Sequence, residues 1–231
     1  MYFYGPVYFD WTYGLLIVAM LISAVISARV NSTYKKYARQ VAKNGLTAEQ
    51  AAQRVLAANG VYGVGFARIA GELTDNYNPR TNVISLSDSV CGKSSVAAIG
   101  VACHEAGHAV QHALGYGPVK LRTAMVPITN IGSRLAVPLF VLGLVLDFMG
   151  LVYVGIALFS LSTLFQLVTL PVEFNASRRA LVALEEQGLL YEDELKGAKK
   201  VLSAAALTYV AALATSALML LRYISIAKRR D

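Results

Sequence analysis

Charge is scarce in this sequence. Asp, Glu, Lys and Arg make up 15% of its 231 residues, where an ordinary soluble domain has about 25%. Cysteine and histidine are rarer still, at two and three residues. Two cysteines, Cys91 and Cys103, are too few and wrongly spaced for a thiolate zinc site. They leave a disulfide or two small, partly buried thiols, and the second fits an apolar chain better. Basic residues are missing altogether before Arg29. A cleaved signal peptide needs a positive n-region, so the aromatic start (Tyr2, Phe3, Tyr4, Tyr8, Phe9) reads instead as an interfacial belt beside an uncleaved anchor.

What fills the space is apolar. Hydrophobic residues reach 56%, and the mean hydropathy is +0.51. Three runs carry no charge: Trp11 to Ala28, Phe148 to Val172 and Val201 to Leu221. Each nears or exceeds the roughly 18–20 residues that cross a bilayer as a helix. A fourth run, from about Val126 to Leu146, is interrupted by Arg134, whose long side chain can snorkel to an interface. A soluble core could not bury so many such runs in so short a chain. The formal net charge of +7 comes from basic residues beside the spans. No basic patch is interleaved with aromatics on a soluble face, so nucleic acid is not an expected partner. The spans also lack the midplane charges of a transporter, Arg134 apart.

Arg29, Lys35, Lys36 and Arg39 follow the first run, and Arg178, Arg179, Lys196, Lys199 and Lys200 follow the third. The positive-inside rule places both segments in the cytoplasm. The link at Asp147 to Gly150 has no basic residue and suits the outside. Lys228, Arg229 and Arg230 disagree, since a fourth span would leave them outside. The expected organisation is an anchor over 1–30, a cytoplasmic block over 31–123, a transmembrane hairpin over 124–172, a cytoplasmic segment over 173–199 and a last span with a basic tail over 200–231. The fold class is a mainly α membrane protein. About four transmembrane helices carry a cytoplasmic zincin-like core with a small β-sheet.

Within the first cytoplasmic block, Thr47 before Glu49 and Gln50 announces a short capped helix. Residues 61–70 and Val83 to Leu86 read as strands, with Asp75 to Pro79 as a turn. From Ser94 the period changes to 3.6, with Ser94 or Ser95 as cap and Gly115 and Pro118 as the end. A helix over 94–114 is expected. In its middle lies His104-Glu105-Ala106-Gly107-His108. Histidines at i and i+4 share one helical face, so both imidazoles can reach one zinc ion. Glu105, beside the first ligand, is placed as general base for the water such a metal activates. A third ligand is needed. His112 lies about 12 Å along the axis from His104, too far to share that metal. Position 114, where another class of zinc peptidase has its third histidine, is Leu114. The remaining option is a carboxylate. Glu173 follows two spans after His108, which returns the chain to the same side, and it ends an apolar run where an unpaired charge is costly. Glu185, Glu186, Glu192 and Glu194 read as solvated.

The residues His104 to His112, Gly115-Tyr116, Pro118, Lys120-Leu121-Arg122 and Val126-Pro127 resemble the YugP-type neutral zinc metallopeptidases of bacterial membranes. So do Leu73 to Arg80 and Leu170 to Leu181. The likeness covers most of the chain from about Gly45. It implies zinc-dependent proteolysis in a multi-pass protein of the cell membrane, acting on protein or peptide substrates near the bilayer. More distantly, the chain is similar to membrane gluzincins of the CAAX-protease and heat-shock-protease type, whose third ligand is the Glu of E-x-x-A-D. Glu173-Phe174-Asn175-Ala176-Ser177 aligns with that motif and carries Glu173 over as ligand. Ser177 stands where the family has Asp, which leaves Asn175 or Ser177 to orient a zinc histidine. Arg178, His112 or Tyr77 could donate to an oxyanion. The alternative is a zinc-binding membrane scaffold or chaperone-like protein without catalysis, against which the intact Glu105 argues.

Overall fold

A computed structural model describes residues 11–230. The aromatic belt expected at Tyr2 to Phe9 lies outside them. The elements in order are α1 (Trp11–Ala38), α2 (Ala48–Ala58), β1 (Gly65–Ile69), β2 (Asn76–Asn78), β3 (Val83–Ser87), α3 (Val96–Ala113), α4 (Gly117–Val145), α5 (Met149–Glu186) and α6 (Glu192–Ala227). The chain is mainly helical with a small three-stranded sheet, as expected. Four helices, α1, α4, α5 and α6, are long and apolar enough to cross a membrane.

Those helices outrun the apolar stretches that announce them. α5 has 38 residues, nearly twice the ~20 a bilayer needs. Its last nine residues, Arg178 to Glu186, are Arg, Ala, Leu and Glu apart from Val182, strong helix formers whose charges carry the helix on beyond the apolar run. α4 and α5 contain Pro127, Pro138 and Pro171. Each removes one backbone donor, a loss that membrane helices tolerate when neighbours re-satisfy the freed carbonyl.

The chain forms two compact units. One takes the described parts of Met1–Val25, Met125–Leu167 and Val210–Asp231. Small residues let its helices touch: a Cβ on Gly143 would lie 2.6 Å from Val152 N, and one on Gly155 2.7 Å from Phe140 N. Tyr223 packs against Phe140 and Phe159, with ring centroids 4.4 and 5.0 Å away. Thr163 and Ser216 share a hydrogen bond at 2.7 Å.

The other unit comprises Ile26–Ala124 and Val168–Tyr209. Its sheet has the order β1-β3-β2, with β1 parallel and β2 antiparallel to β3. Ile84 and Leu86 of β3 alternate into the core. The residues read as a turn, Asp75 to Pro79, include β2. Its Asn76 and Asn78 have little strand propensity, and pairing with β3 imposes the extended form. Helix α2 starts with Thr47 in a full capping box with Gln50. Helix α3 starts at Ser95, whose hydroxyl accepts from Ala98 N. Cys103 is buried and Cys91 half-buried, both as free thiols. Glu194 is not solvated. It is fully buried and accepts from Lys43 N at 2.7 Å and Tyr191 N at 2.9 Å, two backbone donors that compensate its burial.

α3 crosses α5 at Gly107. A Cβ there would lie 2.6 Å from the carbonyl oxygen of Ala176, well inside contact distance. At Gly100 a Cβ would meet Ala198 Cβ at 3.5 Å, an ordinary contact. Both Gly→Ala changes gain about 1 kcal/mol of helix propensity. Gly107→Ala is expected to lose more than that to overpacking, which costs about 1–3 kcal/mol. Its thermal midpoint in detergent should fall, while that of Gly100→Ala stays or rises. Equal midpoints would show that the close approach is not required.

Candidate metal centre

The amphipathic run from Val96 folds as α3 because its apolar residues repeat at helical spacing and Ser95 caps its first turn. Val96, Ile99 and Val110 bury its core face. His104 and His108, one turn apart, project from the same side, with ring centroids 4.7 Å apart and planes nearly perpendicular at 86°. Their Nε2 atoms lie 3.1 Å apart. Glu173 comes from α5 and is 2% exposed. Its Oε2 lies 3.3 Å from His104 Nε2 and 3.4 Å from His108 Nε2. The structure thus brings together the three residues expected to share a metal. Among the described residues, His104, His108 and Glu173 are the one cluster with this property.

The donor triangle can be tested against an ion. Zinc ligands at about 2.0–2.1 Å in tetrahedral arrangement are separated by about 3.3–3.4 Å. The observed edges of 3.1, 3.3 and 3.4 Å match a cation of that size. Glu173 Oε2 is moreover buried without a hydrogen-bond donor, a costly state for a carboxylate oxygen unless a positive charge compensates it. Two imidazoles and one carboxylate form the set of a catalytic zinc site, which leaves a position open.

The outer ring nitrogens are also held. His108 Nδ1 lies 3.0 Å from Gln111 Oε1. Gln111 Nε2 donates to Val172 O at 2.8 Å and to Asn175 Oδ1 at 3.0 Å. Those two acceptors orient the amide, so its oxygen faces His108, Nδ1 carries the proton and Nε2 keeps its lone pair. Asn175 Oδ1 accepts in turn from Arg179 Nε at 2.8 Å. His104 Nδ1 lies 3.0 Å from Ser177 Oγ. Ser177 therefore contacts one histidine directly, and Asn175 reaches the other through Gln111.

Glu105 sits between two cavities. One, of about 250 Å³, has an apolar wall from Val30, Leu73, Val101, Val201 and Leu202. The other, of about 160 Å³, is lined by Asn76, Tyr77, His112, Arg122 and Thr123. Asp75, Glu105, Glu173 and Tyr209 line both. Burial pushes the Glu105 carboxyl above its ordinary value, against the pull of His104 and His108. Burial also raises Asp75, although Ser87 donates to it from its backbone nitrogen at 2.7 Å and its hydroxyl at 2.9 Å.

Of the three side chains considered as oxyanion donors, Tyr77 and His112 line the polar cavity, packed edge-on with centroids 6.2 Å apart. The Tyr77 hydroxyl already donates to Asn82 Oδ1 at 2.9 Å. Arg178 lines neither cavity that holds Glu105. Two residues without an expected role stand closer. Arg122 Nη1 is 3.9 Å from Glu173 Oε1, and its buried Nε has no partner. Tyr209 lies beside Glu173 on α6. Gln111 has an i+3 spacing to His108 that points to it, whereas Tyr209 sits with Ser203, Thr208, Thr215 and Ser216 in a charge-free run and nothing in the spacing singles it out.

The family described as "Putative neutral zinc metallopeptidase" matches residues 12–228. "Putative membrane protease YugP" of Bacillus subtilis (strain 168) is 44% identical over 212 residues, which cover 92% of this chain and 94% of that relative. No solved structure matches the chain. The chain belongs to the neutral zinc metallopeptidase family so described.

The hydrogen-bonded support of the histidines makes a measurable difference. Gln111→Ala frees His108 Nδ1 and should lower zinc affinity about 10–100-fold, read by competition with a chromophoric chelator. Unchanged affinity would mean that Gln111 does not hold the ring.

Proposed function

We propose that this family member is a zinc-dependent membrane endopeptidase that hydrolyses peptide bonds in protein or peptide substrates at the cytoplasmic membrane face. The donor triangle beside Glu105 carries the reading. His104, His108 and Glu173 would hold the ion. Zinc in such a site acidifies a water and polarises a carbonyl. Glu105 takes a proton from a water in the shared part of the two cavities and returns it to the leaving amine. Its raised carboxyl pKa suits both halves of that exchange, since a group that gives the proton back must not be too strong an acid. Arg122 and Tyr209 offer donors to the carbonyl oxygen as it gains charge. The apolar wall of the larger cavity favours a substrate with an apolar side chain beside the cleaved bond.

Placement at the cytoplasmic face rests on the basic residues. None precedes the first span, and Arg29, Lys35, Lys36 and Arg39 follow it closely. Membrane-associated substrates fit because Glu173 directly follows the apolar run that ends at Val172.

Glu105→Gln should retain one zinc per chain and lose proteolysis by about 10²–10⁴-fold, the usual worth of a general base. Glu173→Ala should lose zinc as well as activity. Metal analysis and cleavage of a denatured reporter protein by the purified chain measure both. Full activity in Glu105→Gln, or undiminished zinc in Glu173→Ala, would remove these assignments. For the membrane side, a cysteine replacing Lys93 in a Cys91→Ser background should react with an impermeant maleimide only after cells are permeabilised. Labelling of intact cells would reverse the orientation.

A further inference from the structure

We propose that the groove where the C-terminal half of α1 faces the lysines in the second and third turns of α6 binds the phosphate of an anionic phospholipid headgroup. The groove encloses about 640 Å³, and every residue that lines it belongs to one compact unit. Helix α1 contributes Arg29 and Lys36, and helix α6 contributes Lys196, Lys199 and Lys200. The hydroxyls of Thr33 and Ser203 stand among them, beside Ser32, whose own hydroxyl donates to Arg29 O at 3.1 Å. On each helix these residues recur at three- and four-residue steps, which puts them on one stripe. A glycine sets how near the stripes come: a Cβ on Gly197 would lie 2.7 and 2.8 Å from two ring carbons of Tyr37.

Lys196 is joined to Glu192 at 2.6 Å. Among the described residues, no carboxylate lies within ion-pair distance of Arg29, Lys36, Lys199 or Lys200. Topology alone asks for basic residues near the ends of spans. It does not ask them to converge from two helices on one concave surface with hydroxyls between. An anion with several oxygens satisfies both sets of donors at once. The rest of the lining selects a lipid over free phosphate. Beyond Ser203 the α6 stripe turns to Ala204 and Leu207, and α6 runs on as one of the four bilayer-length helices. A headgroup at the lysines thus has an apolar track for its acyl chains, and cationic pockets beside spans take acidic lipids.

The test uses the full-length chain in neutral detergent, where no charged bilayer surface contributes. Phosphatidylglycerol is titrated and single-lipid adducts are counted by native mass spectrometry, with phosphatidylcholine and inorganic phosphate in parallel. Phosphatidylglycerol should bind at lower concentration than phosphatidylcholine. The triple change Lys36→Gln, Lys199→Gln and Lys200→Gln should weaken it roughly 100-fold. A control with the same charge loss elsewhere, Lys35→Gln, Arg39→Gln and Lys93→Gln, should leave it unchanged. Zinc content and melting temperature report folding. If the triple variant melts early, Lys199→Gln alone carries the test with a loss of roughly fivefold. The proposal is overturned if groove and control variants weaken binding alike, if the two lipids bind equally, or if inorganic phosphate displaces phosphatidylglycerol at matching concentration. None of these readouts requires proteolysis, so the groove and the peptidase reading stand or fall separately.

Discussion

The contact between Gly107 and Ala176 is the constraint on which the site depends. Gly107 is one of the two unspecified positions between His104-Glu105 and His108. Ala176 is three residues past Glu173. With no Cβ at 107, the backbone of α5 comes against α3 at the level of the histidines. That approach brings Glu173 Oε2 within 3.4 Å of both Nε2 atoms, and Ser177, next to Ala176, within 3.0 Å of His104. A methyl group at this crossing would push apart the two helices whose side chains must meet. The glycine in the motif therefore works through packing, while its neighbours work through lone pairs.

Around that crossing, polar groups are linked in an orderly sequence. Arg179 donates to Asn175, Gln111 donates to Asn175 and to Val172 O, and the Gln111 oxygen faces His108. Both ends of the fully buried Gln111 amide have partners in this series, which is what lets it sit in a low-dielectric interior. The series ends at Glu173 Oε2, which has no hydrogen-bond donor. The same logic explains Glu194, whose two backbone donors make burial tolerable. A chain with only 15% charged residues buries a charge where something specific receives it.

Much of this was legible in the sequence because it follows from spacing. The i, i+4 histidines rest on helical spacing, the cap on the choice between Ser94 and Ser95, and the three spans on charge-free length; all stand in the structure, with Ser95 as the cap. Glu173 was legible through parity: two spans return the chain to its starting side. Other features were hidden for physical reasons. β2 is extended because β3 pairs with it, not because Asn76 and Asn78 favour strands. Helices α5 and α6 run past their apolar cores because Ala, Leu, Glu and Lys continue a helix in water as readily. Arg122 and Tyr209 belong to segments read as spans or their flanks, and only tertiary contact reveals that they face Glu173.

The ligand set is split, with two members on α3 and one on α5, and the whole of α4 lies between them in the chain. On the proposed reading, this has a consequence for biosynthesis. A nascent chain that has emerged only as far as α3 offers a metal two imidazoles and no carboxylate, a weak chelate. The hydrolytic centre is completed only when the hairpin of α4 and α5 has been threaded through the bilayer and Glu173 has come back to α3. Insertion thus acts as the maturation step. A half-made or misinserted copy is then proteolytically silent because its ligand set is incomplete.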